Sequence, residues 1–414
     1  MRFTLPLCEK YFLYFSIMKR TLLLIFALLL LFATEILRVY FIMPFPGSQK
    51  ADTIELAYFI NNYIWWLRLI GAIILLPLLW SVFKHGKTRN KIFLSLFILL
   101  YATIFYFFNF KFLADKMFYQ PKNKFLATVA ESKVDSSKLV IGIIINGQAK
   151  AYPVEVIGYH HQVQDTLDGQ PILVTYCTVC RTGRVYSPFV NGKFQQFRLV
   201  GMDHFNAMFE DAATKSWWQQ ATGMAIAGPM KGTSLKELPS QQMRLGAWIQ
   251  QYPGTLILQP DSLFTKQYKG LEGYDAGTIK GGLEKRDSAS WKFKSWVVGV
   301  QANGHDKAYD WNEIVQQKII NDTIGSNAIV LVVEKDYVSF HVWSRQVGDK
   351  LLQFSFDVAA QTMKDTATNT VWSMRGECID GIIKGSKLSP IPAYQEFWHS
   401  WKYFHPATTK YAIK

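Results

Sequence analysis

Two cysteines separated by two residues, Cys177 and Cys180, are the best candidates for chemistry in this 414-residue chain. A thiol pair at this spacing can form a disulfide, carry out thiol–disulfide exchange or bind a soft metal ion. The chain has four cysteines, which is too few for a disulfide scaffold, and the other two, Cys8 and Cys378, stand alone. The pattern therefore indicates one local site.

The pair follows an apolar run, PILVTY from Pro171, and precedes RTGRVYS from Arg181, which has the composition of a second strand. A thioredoxin site places its cysteines before a helix, whose N-terminus lowers the thiol pKa. No helical pattern follows here, so the sequence disfavours a thioredoxin fold. A C-x-x-C between two strands resembles a metal knuckle or a redox-active turn.

Two histidines upstream, His160 and His161, widen the possible chemistry. His160 or Arg181 could lower the pKa of an attacking thiol, which makes Cys177, Cys180 and His160 the predicted catalytic residues of a thiol–disulfide or peroxide-type redox module. Alternatively, Cys177, Cys180, His160 and His161 could bind zinc or copper in a non-enzymatic module. A third reading is an interaction or structural module in which a disulfide only clips the turn.

An internal repeat helps to distinguish between these redox, metal-binding and structural hypotheses. VIGIIINGQAKAY starts at Val140, and VVGVQANGHDKAY starts 157 residues later at Val297. Further blocks match in the same order, among them DAATKSWW with DTATNTVW and AWIQQYPGT with SWKYFHPAT. We interpret this as a tandem duplication.

The second copy lacks every candidate site residue. At the same offset, Cys177 and Cys180 face Glu334 and Tyr337, while His160 and His161 face Gln317 and Lys318. The joint loss favours one site in the first copy and a scaffold role for the second.

Both copies consist mostly of short β-branched and aromatic runs broken by turn pairs such as Asn191-Gly192. Near the end of the first copy, LGAWIQQYP has helical spacing and a proline stop. We predict an α+β, β-rich fold: a membrane domain over residues 1–115, then two tandem homologous, mostly-β lobes over 116–275 and 276–414.

Three apolar runs in the first 115 residues are long enough to cross a bilayer as helices: Thr21–Met43, Tyr63–Phe83 and Ile92–Phe110. The first contains Glu35 and Arg38, which sit three residues apart and could pair on one helix face. The second contains Arg68, whose long stem could reach back to the interface. A cleaved signal peptide over residues 1–34 is the alternative for the first run, although no small-residue cleavage site follows it.

Basic residues predict the orientation of these helices. The N-terminal segment and the second link, KHGKTRNK from Lys84, are basic, whereas the first link has only Lys50. By the positive-inside rule the N-terminus is cytoplasmic, and the repeats after Leu113 are extracytoplasmic, on the periplasmic side of a multi-pass membrane protein.

The charge distribution and the absence of known motifs reduce the number of possible function classes. The net charge of +14 is spread over the chain and the membrane flanks, which disfavours a nucleic-acid partner. The sequence has no P-loop, no G-x-S-x-G, no H-E-x-x-H and no dinucleotide glycine fingerprint. An extracytoplasmic protein or a small molecule is the expected partner, and its identity stays open.

The ordered elements NGQAKAYP, Tyr159-His160, Gln164-Asp165, VTYCTVCRTG, WWQQATGMAIAGPMKGTSLKELP and WIQQYPGTLIL resemble the bacterial domain of unknown function 3179 family. The resemblance covers Val140 to Leu258, and Val297 to Thr408 as a degenerate second copy, but not the membrane spans. Members of this family usually look exported.

Some relatives are described as selenoproteins with selenocysteine in the C-x-x-C element, which for Cys177 and Cys180 implies redox chemistry. His160 matches the family's histidine after an aromatic residue. The sequence departs from the family pattern at His161, where an acidic residue is common, and at Arg181, where glycine is common.

Overall fold

The computed structural model describes residues 7–412, with side chains described from Met18 onward. Cys8 and the basic residues Arg2 and Lys10 lie outside the described side chains. The chain forms two compact units. The first comprises the residues up to 117 together with 200–204 and 226–229, and the second comprises 118–199, 205–225 and 230–414.

The first unit contains the helices α1 Leu7–Tyr40, α2 Ile54–His85, α3 Thr88–Phe110 and α4 Ala114–Met117. Three helical segments are long and apolar enough to cross a membrane: Met18–Tyr40, Ile54–His85 and Thr88–Phe110. The three predicted membrane helices are therefore confirmed by length and composition, and α2 begins nine residues earlier than the predicted span at Tyr63.

The charged residues of these helices form one hydrogen-bonded cluster. Arg68 binds both carboxylate oxygens of Glu35, at 2.7 and 2.8 Å, and the amide of Asn109 donates to the same carboxylate at 2.8 Å. Arg38 instead donates to Asn61 and Asn109. Arg68 is thus a bidentate partner of Glu35 that the sequence analysis did not predict, while the predicted Glu35–Arg38 pair and the predicted reach of Arg68 to the interface stay predictions. A charge among apolar helices is stabilised most by a directly bonded partner, and α2 supplies it.

The first half of the β-rich region runs from residue 118 to about 275. It contains the helices α5 Val154–His160, α6 Leu245–Gln251 and α7 Thr265–Lys269. Its strands are β1 Leu126–Ala127, β2 Leu139–Ile145, β3 Gln148–Pro153, β4 Gln162–Leu167, β5 Gln170–Cys177, β6 Thr182–Tyr186, β7 Phe189–Val190, β8 Lys193–Phe194, β9 Phe197–Asp203, β10 Asn206–Asp211, β11 Trp217–Gln219, β12 Ala225–Ala227, β13 Glu237–Leu238, β14 Ser240–Arg244 and β15 Leu256–Leu258. They form sheets of order β1-β15-β3-β2-β14, β13-β6-β5-β4, β12-β11-β10-β9 and β7-β8.

The second half contains α8 Trp311–Gln317 and α9 Trp398–Phe404. Its strands are β16 Trp296–Ala302, β17 His305–Asp310, β18 Ile319–Ile324, β19 Asn327–Val333, β20 Phe340–Ser344, β21 Gln346–Val347, β22 Lys350–Leu351, β23 Phe354–Asp357, β24 Thr362–Asp365, β25 Val371–Ser373, β26 Cys378–Asp380, β27 Ala393–Phe397 and β28 Thr409–Lys410. Their sheets have the orders β27-β16-β17-β28, β18-β19-β20, β23-β24-β25-β26 and β21-β22. The predicted β-rich class after three helices is confirmed.

The two halves share much of their order of elements, and one three-residue contact recurs in both. In the first, Lys150 and Tyr152 both bind Asp165, at 3.0 and 2.8 Å. In the second, Lys307 and Tyr309 bind Asp322 at 2.6 and 2.9 Å. The tandem duplication interpreted from the sequence stays a prediction, which is consistent with this correspondence. Apart from residues 200–204 and 226–229, both halves lie in the second compact unit, so the boundary predicted between residues 275 and 276 stays a prediction.

A glycine in each half lets a tryptophan lie directly on a strand. A Cβ atom added at Gly142 would lie 2.3 Å from the Trp248 ring, and one added at Gly299 would lie 2.1 Å from the Trp401 ring. Both tryptophans are fully buried and belong to α6 and α9. These contacts fix each helix on its sheet, which matters because α9 carries part of the candidate site.

Candidate functional site

The cysteine pair lies in the turn of a hairpin. β5 ends at Cys177, β6 begins at Thr182, and these two residues pair across the strands. Arg181 completes the turn with a φ of 57°, a left-handed conformation that is costly for a residue with a side chain. The pair therefore lies between two strands, as its sequence context predicted.

Both sulfurs are fully buried and approach one backbone oxygen. The carbonyl of Phe205 lies 3.4 Å from Cys177 Sγ and 3.2 Å from Cys180 Sγ. Neither cysteine is joined to another described cysteine in a disulfide. The turn thus holds two thiols against one acceptor in a dry environment.

The surroundings push the two thiol pKa values in opposite directions. Burial by itself would raise the pKa of Cys177. This effect is outweighed by hydrogen bonds from the Cys180 thiol and from the backbone amides of Ala207 and Cys180, and by the positive charge of Lys294. The pKa of Cys177 is therefore lowered. Burial and the neighbouring Cys177 sulfur together raise the pKa of Cys180. Cys177 is therefore the better thiolate and Cys180 the proton donor.

Two residues from the second half stand beside the pair. The Nζ of Lys294 donates to the carbonyl of Val179, the residue before Cys180, at 2.5 Å. It also lies 3.1 Å from Nε2 of His399, the second residue of α9. Burial, followed by the Lys294 charge, lowers the pKa of His399 to about 3. The imidazole is therefore neutral at physiological pH, and its Nε2 also lies 3.1 Å from the carbonyl of Val179.

An aromatic layer covers this group. The ring of Phe293 stacks on His399 with centroids 4.2 Å apart, and Phe205 meets both rings edge-on. Phe293 is 58% exposed, whereas the sulfurs beneath are not exposed at all. Access to the thiols thus depends on the position of these side chains.

A buried arginine fixes the back of the turn. Arg181 Nε donates to the Gln395 side chain at 2.9 Å, and its terminal nitrogens donate to the carbonyls of Tyr274 and Asp275, each at 3.2 Å. Its guanidinium lies 3.8 Å from the centroid of Trp296. These contacts satisfy a charge in the protein interior and offset the left-handed backbone at this position.

A family model described as a protein of unknown function, DUF3179, matches residues 121–408, which is more than half of the chain. The chain belongs to the DUF3179 family. The chain matches no curated protein and no solved structure. The DUF3179 region contains both cysteines as well as Lys294 and His399, and the three apolar helices precede it.

His160 lies at the end of α5 and binds groups other than the thiols. Its Nδ1 contacts the carbonyl of Tyr119, and its Nε2 lies 2.7 Å from the Tyr268 hydroxyl. Burial lowers the pKa of His160, so this imidazole is neutral at physiological pH. A neutral ring with both nitrogens occupied does not supply the positive charge that would lower a thiol pKa.

His161 is also held separately, with Nδ1 3.1 Å from the Tyr159 carbonyl and the ring against Phe118. Burial lowers its pKa to about 4. Among the side chains described, residues 18–412, no group of three or more His, Cys, Asp or Glu is placed to hold a metal ion. The structure therefore does not assemble the zinc or copper ligand set predicted from Cys177, Cys180, His160 and His161.

The sequence reasoning missed Lys294 and His399. Both residues are present only in the second copy, and this difference between the copies is the sequence signal that points to them. Lys294 faces Ser137 at the 157-residue offset, and His399 faces Gly246 when Trp401 is aligned with Trp248. In this DUF3179 protein the second half, expected to be a scaffold alone, contributes two polar side chains beside the thiols.

Proposed function

We propose that this protein is a membrane-anchored, extracytoplasmic thiol–disulfide redox module. The observation that carries the proposal is the hairpin turn with two buried thiols on the carbonyl of Phe205, whose pKa values are shifted in opposite directions beside Lys294. A structural clip needs no such division between an attacking and a resolving thiol.

In the proposed reaction the Cys177 thiolate attacks one sulfur of a partner disulfide. A Cys177–partner disulfide forms, the partner's own S–S bond breaks, and the released thiolate takes up a proton. The Cys180 thiol loses its proton and attacks Cys177 Sγ, which forms the Cys177–Cys180 disulfide and releases the partner as a dithiol. The partner gains two electrons and the pair loses two, and an exported dithiol returns the pair to its reduced form.

Lys294 and His399 have defined roles in this scheme. The ammonium group of Lys294 stabilises the Cys177 thiolate, as its contribution to the lowered pKa indicates. The neutral imidazole of His399, 3.1 Å from Lys294 Nζ, can accept a hydrogen bond from the ammonium group and hold it beside the turn. His160 is hydrogen-bonded to Tyr119 and Tyr268, which favours a structural role in the first half rather than contact with the reacting sulfurs.

The proposed extracytoplasmic location is inferred from the basic residues that flank the membrane helices. Lys84, Lys87, Arg89 and Lys91 lie at the link between α2 and α3, and the positive-inside rule puts this link in the cytoplasm. The chain that follows α3 then lies outside, where thiol–disulfide exchange is the ordinary chemistry of cysteine pairs. Cysteine accessibility mapping at Lys50 and Lys87 checks this topology.

Mechanism-based trapping tests the proposal. The Cys180→Ser variant retains the attacking thiol but cannot resolve, so it should accumulate mixed disulfides with a model disulfide substrate. Cys177→Ser should not, and Cys378→Ser, which removes a buried thiol outside the turn, should behave as the unaltered protein. Equal trapping by Cys177→Ser and Cys180→Ser would remove the division of roles on which the proposal depends.

A further inference from the structure

Helix α9 belongs to the second half of the DUF3179 region, yet its start is bonded to the cysteine turn of the first half. The backbone amide of Phe397, the residue before α9, donates to the carbonyl of Cys180 at 2.9 Å. Nε2 of His399 lies 3.1 Å from the carbonyl of Val179. The first residues of α9 are therefore held against the backbone of the turn.

The third residue of α9, Ser400, brings a hydroxyl group to the resolving thiol. Ser400 is fully buried, and its hydroxyl is hydrogen-bonded to the Cys180 sulfur. The same hydroxyl lies 3.4 Å from the hydroxyl of Thr182, which in turn donates to the Cys180 carbonyl at 3.4 Å. Ser400 thus contacts a sulfur of the proposed reaction as well as the strand that follows it.

A buried ion pair holds this hydroxyl in place. The Ser400 hydroxyl donates to Glu396 Oε2 at 3.0 Å, and Glu396 Oε1 accepts a hydrogen bond from Arg184 at 2.6 Å. Glu396 and Arg184 are both buried. A charge-assisted hydrogen bond in a dry environment fixes the carboxylate, and the carboxylate in turn keeps the hydroxyl of Ser400 beside the sulfur.

The resolving thiol needs a hydrogen-bond donor when it ionises. Burial and the neighbouring Cys177 sulfur raise the pKa of Cys180, and the Ser400 hydrogen bond opposes this rise. A serine hydroxyl has one hydrogen, which rotates between acceptors. While Cys180 is protonated this hydrogen points to Glu396, and when Cys180 ionises it can turn to the sulfur and stabilise the thiolate.

The corresponding helix of the first half shows that packing does not require a serine here. Helices α6 and α9 both pack a buried tryptophan on a glycine of a strand. When these tryptophans are aligned, Ser400 faces Ala247 and Glu396 faces Met243. The hydroxyl and the carboxylate therefore occur only in the half whose helix meets the thiols.

We propose that Ser400 is a further catalytic residue, whose hydroxyl donates a hydrogen bond to the Cys180 thiolate as that thiolate attacks the Cys177–partner disulfide. The inference rests on the proposed thiol–disulfide function and deepens it. In this step the Cys180 proton passes to solvent, the Cys180–Cys177 bond forms and the bond from Cys177 to the partner breaks. The electron pair of the broken bond leaves with the partner sulfur, which takes up a proton.

A symmetrical aromatic disulfide with a coloured thiolate separates the two steps of the reaction. Attack by Cys177 releases the first equivalent of coloured thiolate, and resolution by Cys180 releases the second. The full-length protein, with Cys8 and Cys378 replaced by serine, is mixed rapidly with this reagent, and the two phases of colour are timed.

The Ser400→Ala variant should leave the first phase unchanged and slow the second roughly threefold. Loss of one hydrogen bond to the thiolate lowers the thiolate fraction of Cys180 about tenfold, and the more basic thiolate is about threefold more nucleophilic. Ser400→Thr keeps the hydroxyl and should resolve faster than Ser400→Ala. The matched control is Ser339→Ala, which removes another fully buried serine hydroxyl of the second half, bonded to Asp336, and should leave both phases unchanged.

The outcomes separate this role from the redox proposal itself. A second phase that is unchanged in Ser400→Ala overturns the role of Ser400 and leaves the redox proposal standing. Equal slowing of both phases in Ser400→Ala, or equal slowing of resolution in Ser339→Ala, also overturns it, because a loosened fold would do the same. If the unaltered protein releases no coloured thiolate at all, the redox proposal fails and this inference fails with it.

Discussion

Replacing Lys294 by methionine should raise the pKa of Cys177 and slow its reaction near neutral pH. The ammonium group bonds the carbonyl of Val179, which lies between the two cysteines. For an ammonium group and a thiolate about 6 Å apart, in an effective dielectric constant of about 20, the attraction would be about 3 kcal/mol, or about two pKa units. Lys294 is partly exposed, so solvent screening reduces the expected rise to about one unit.

The rate effect is smaller than the pKa effect. A rise of about one unit lowers the thiolate fraction about tenfold below the pKa, but the more basic thiolate is about threefold more nucleophilic, so the rate should fall roughly threefold. The sign follows from the lowered pKa of Cys177, because thiolate is lost as the pH falls through that value. In Lys294→Met this loss should begin at a pH about one unit higher.

The assay is the pH dependence of alkylation by a small, uncharged reagent, followed by mass spectrometry of the peptide that contains Cys177. Cys8 and Cys378 are replaced by serine to remove competing thiols. Lys292→Met removes an exposed charge two residues away and is the matched control. An unchanged pH profile in Lys294→Met, with the fold intact by circular dichroism, would refute the electrostatic role of Lys294.

Three further substitutions test the frame around the site. Arg181→Met removes the donor to the carbonyls of Tyr274 and Asp275 and one of the two donors to Gln395, and it should lower the free energy of unfolding by about 3 kcal/mol, measured by urea titration. Gly299→Ala drives a Cβ atom into the Trp401 ring and should destabilise the fold by about 2 kcal/mol. Gly254→Ala is the control, because no atom lies within 4 Å of the added Cβ, and it should leave the stability unchanged. Equal effects of the two substitutions would contradict this packing. Arg68→Leu leaves Glu35 without its bidentate partner and should lower the thermal midpoint. The double variant Glu35→Leu with Arg68→Leu should restore much of that loss. A double variant no more stable than Arg68→Leu alone would show that the pair is not coupled.

Local signals in the sequence were sufficient for much of the fold. Three runs without many charges predicted the membrane helices, and the apolar run that ends at Cys177 predicted a strand before the pair. These features depend on residues close together in the chain, where apolar length and turn residues are direct signals. The prediction of a β-rich region succeeded for the same reason.

Contacts between distant residues were not predicted. Glu35 bonds Arg68 across 33 residues, whereas its neighbour Arg38, three residues away, looked like the obvious partner. His160 lies close to Cys177 in sequence, yet its ring is held by Tyr119 and Tyr268. Single-sequence spacing does not reveal which way a side chain at a helix end points, and tertiary packing decides it.

The most direct test of the redox account is the equilibrium between the dithiol and disulfide forms of Cys177 and Cys180 in defined redox buffers. Full-length protein lacking Cys8 and Cys378 is equilibrated, quenched with acid and alkylated, and the two forms are counted by mass spectrometry. The account predicts reversible exchange with a reduction potential above about −300 mV, the limit below which structural disulfides lie. A potential well below that value, or a pair that never forms the disulfide, would contradict it.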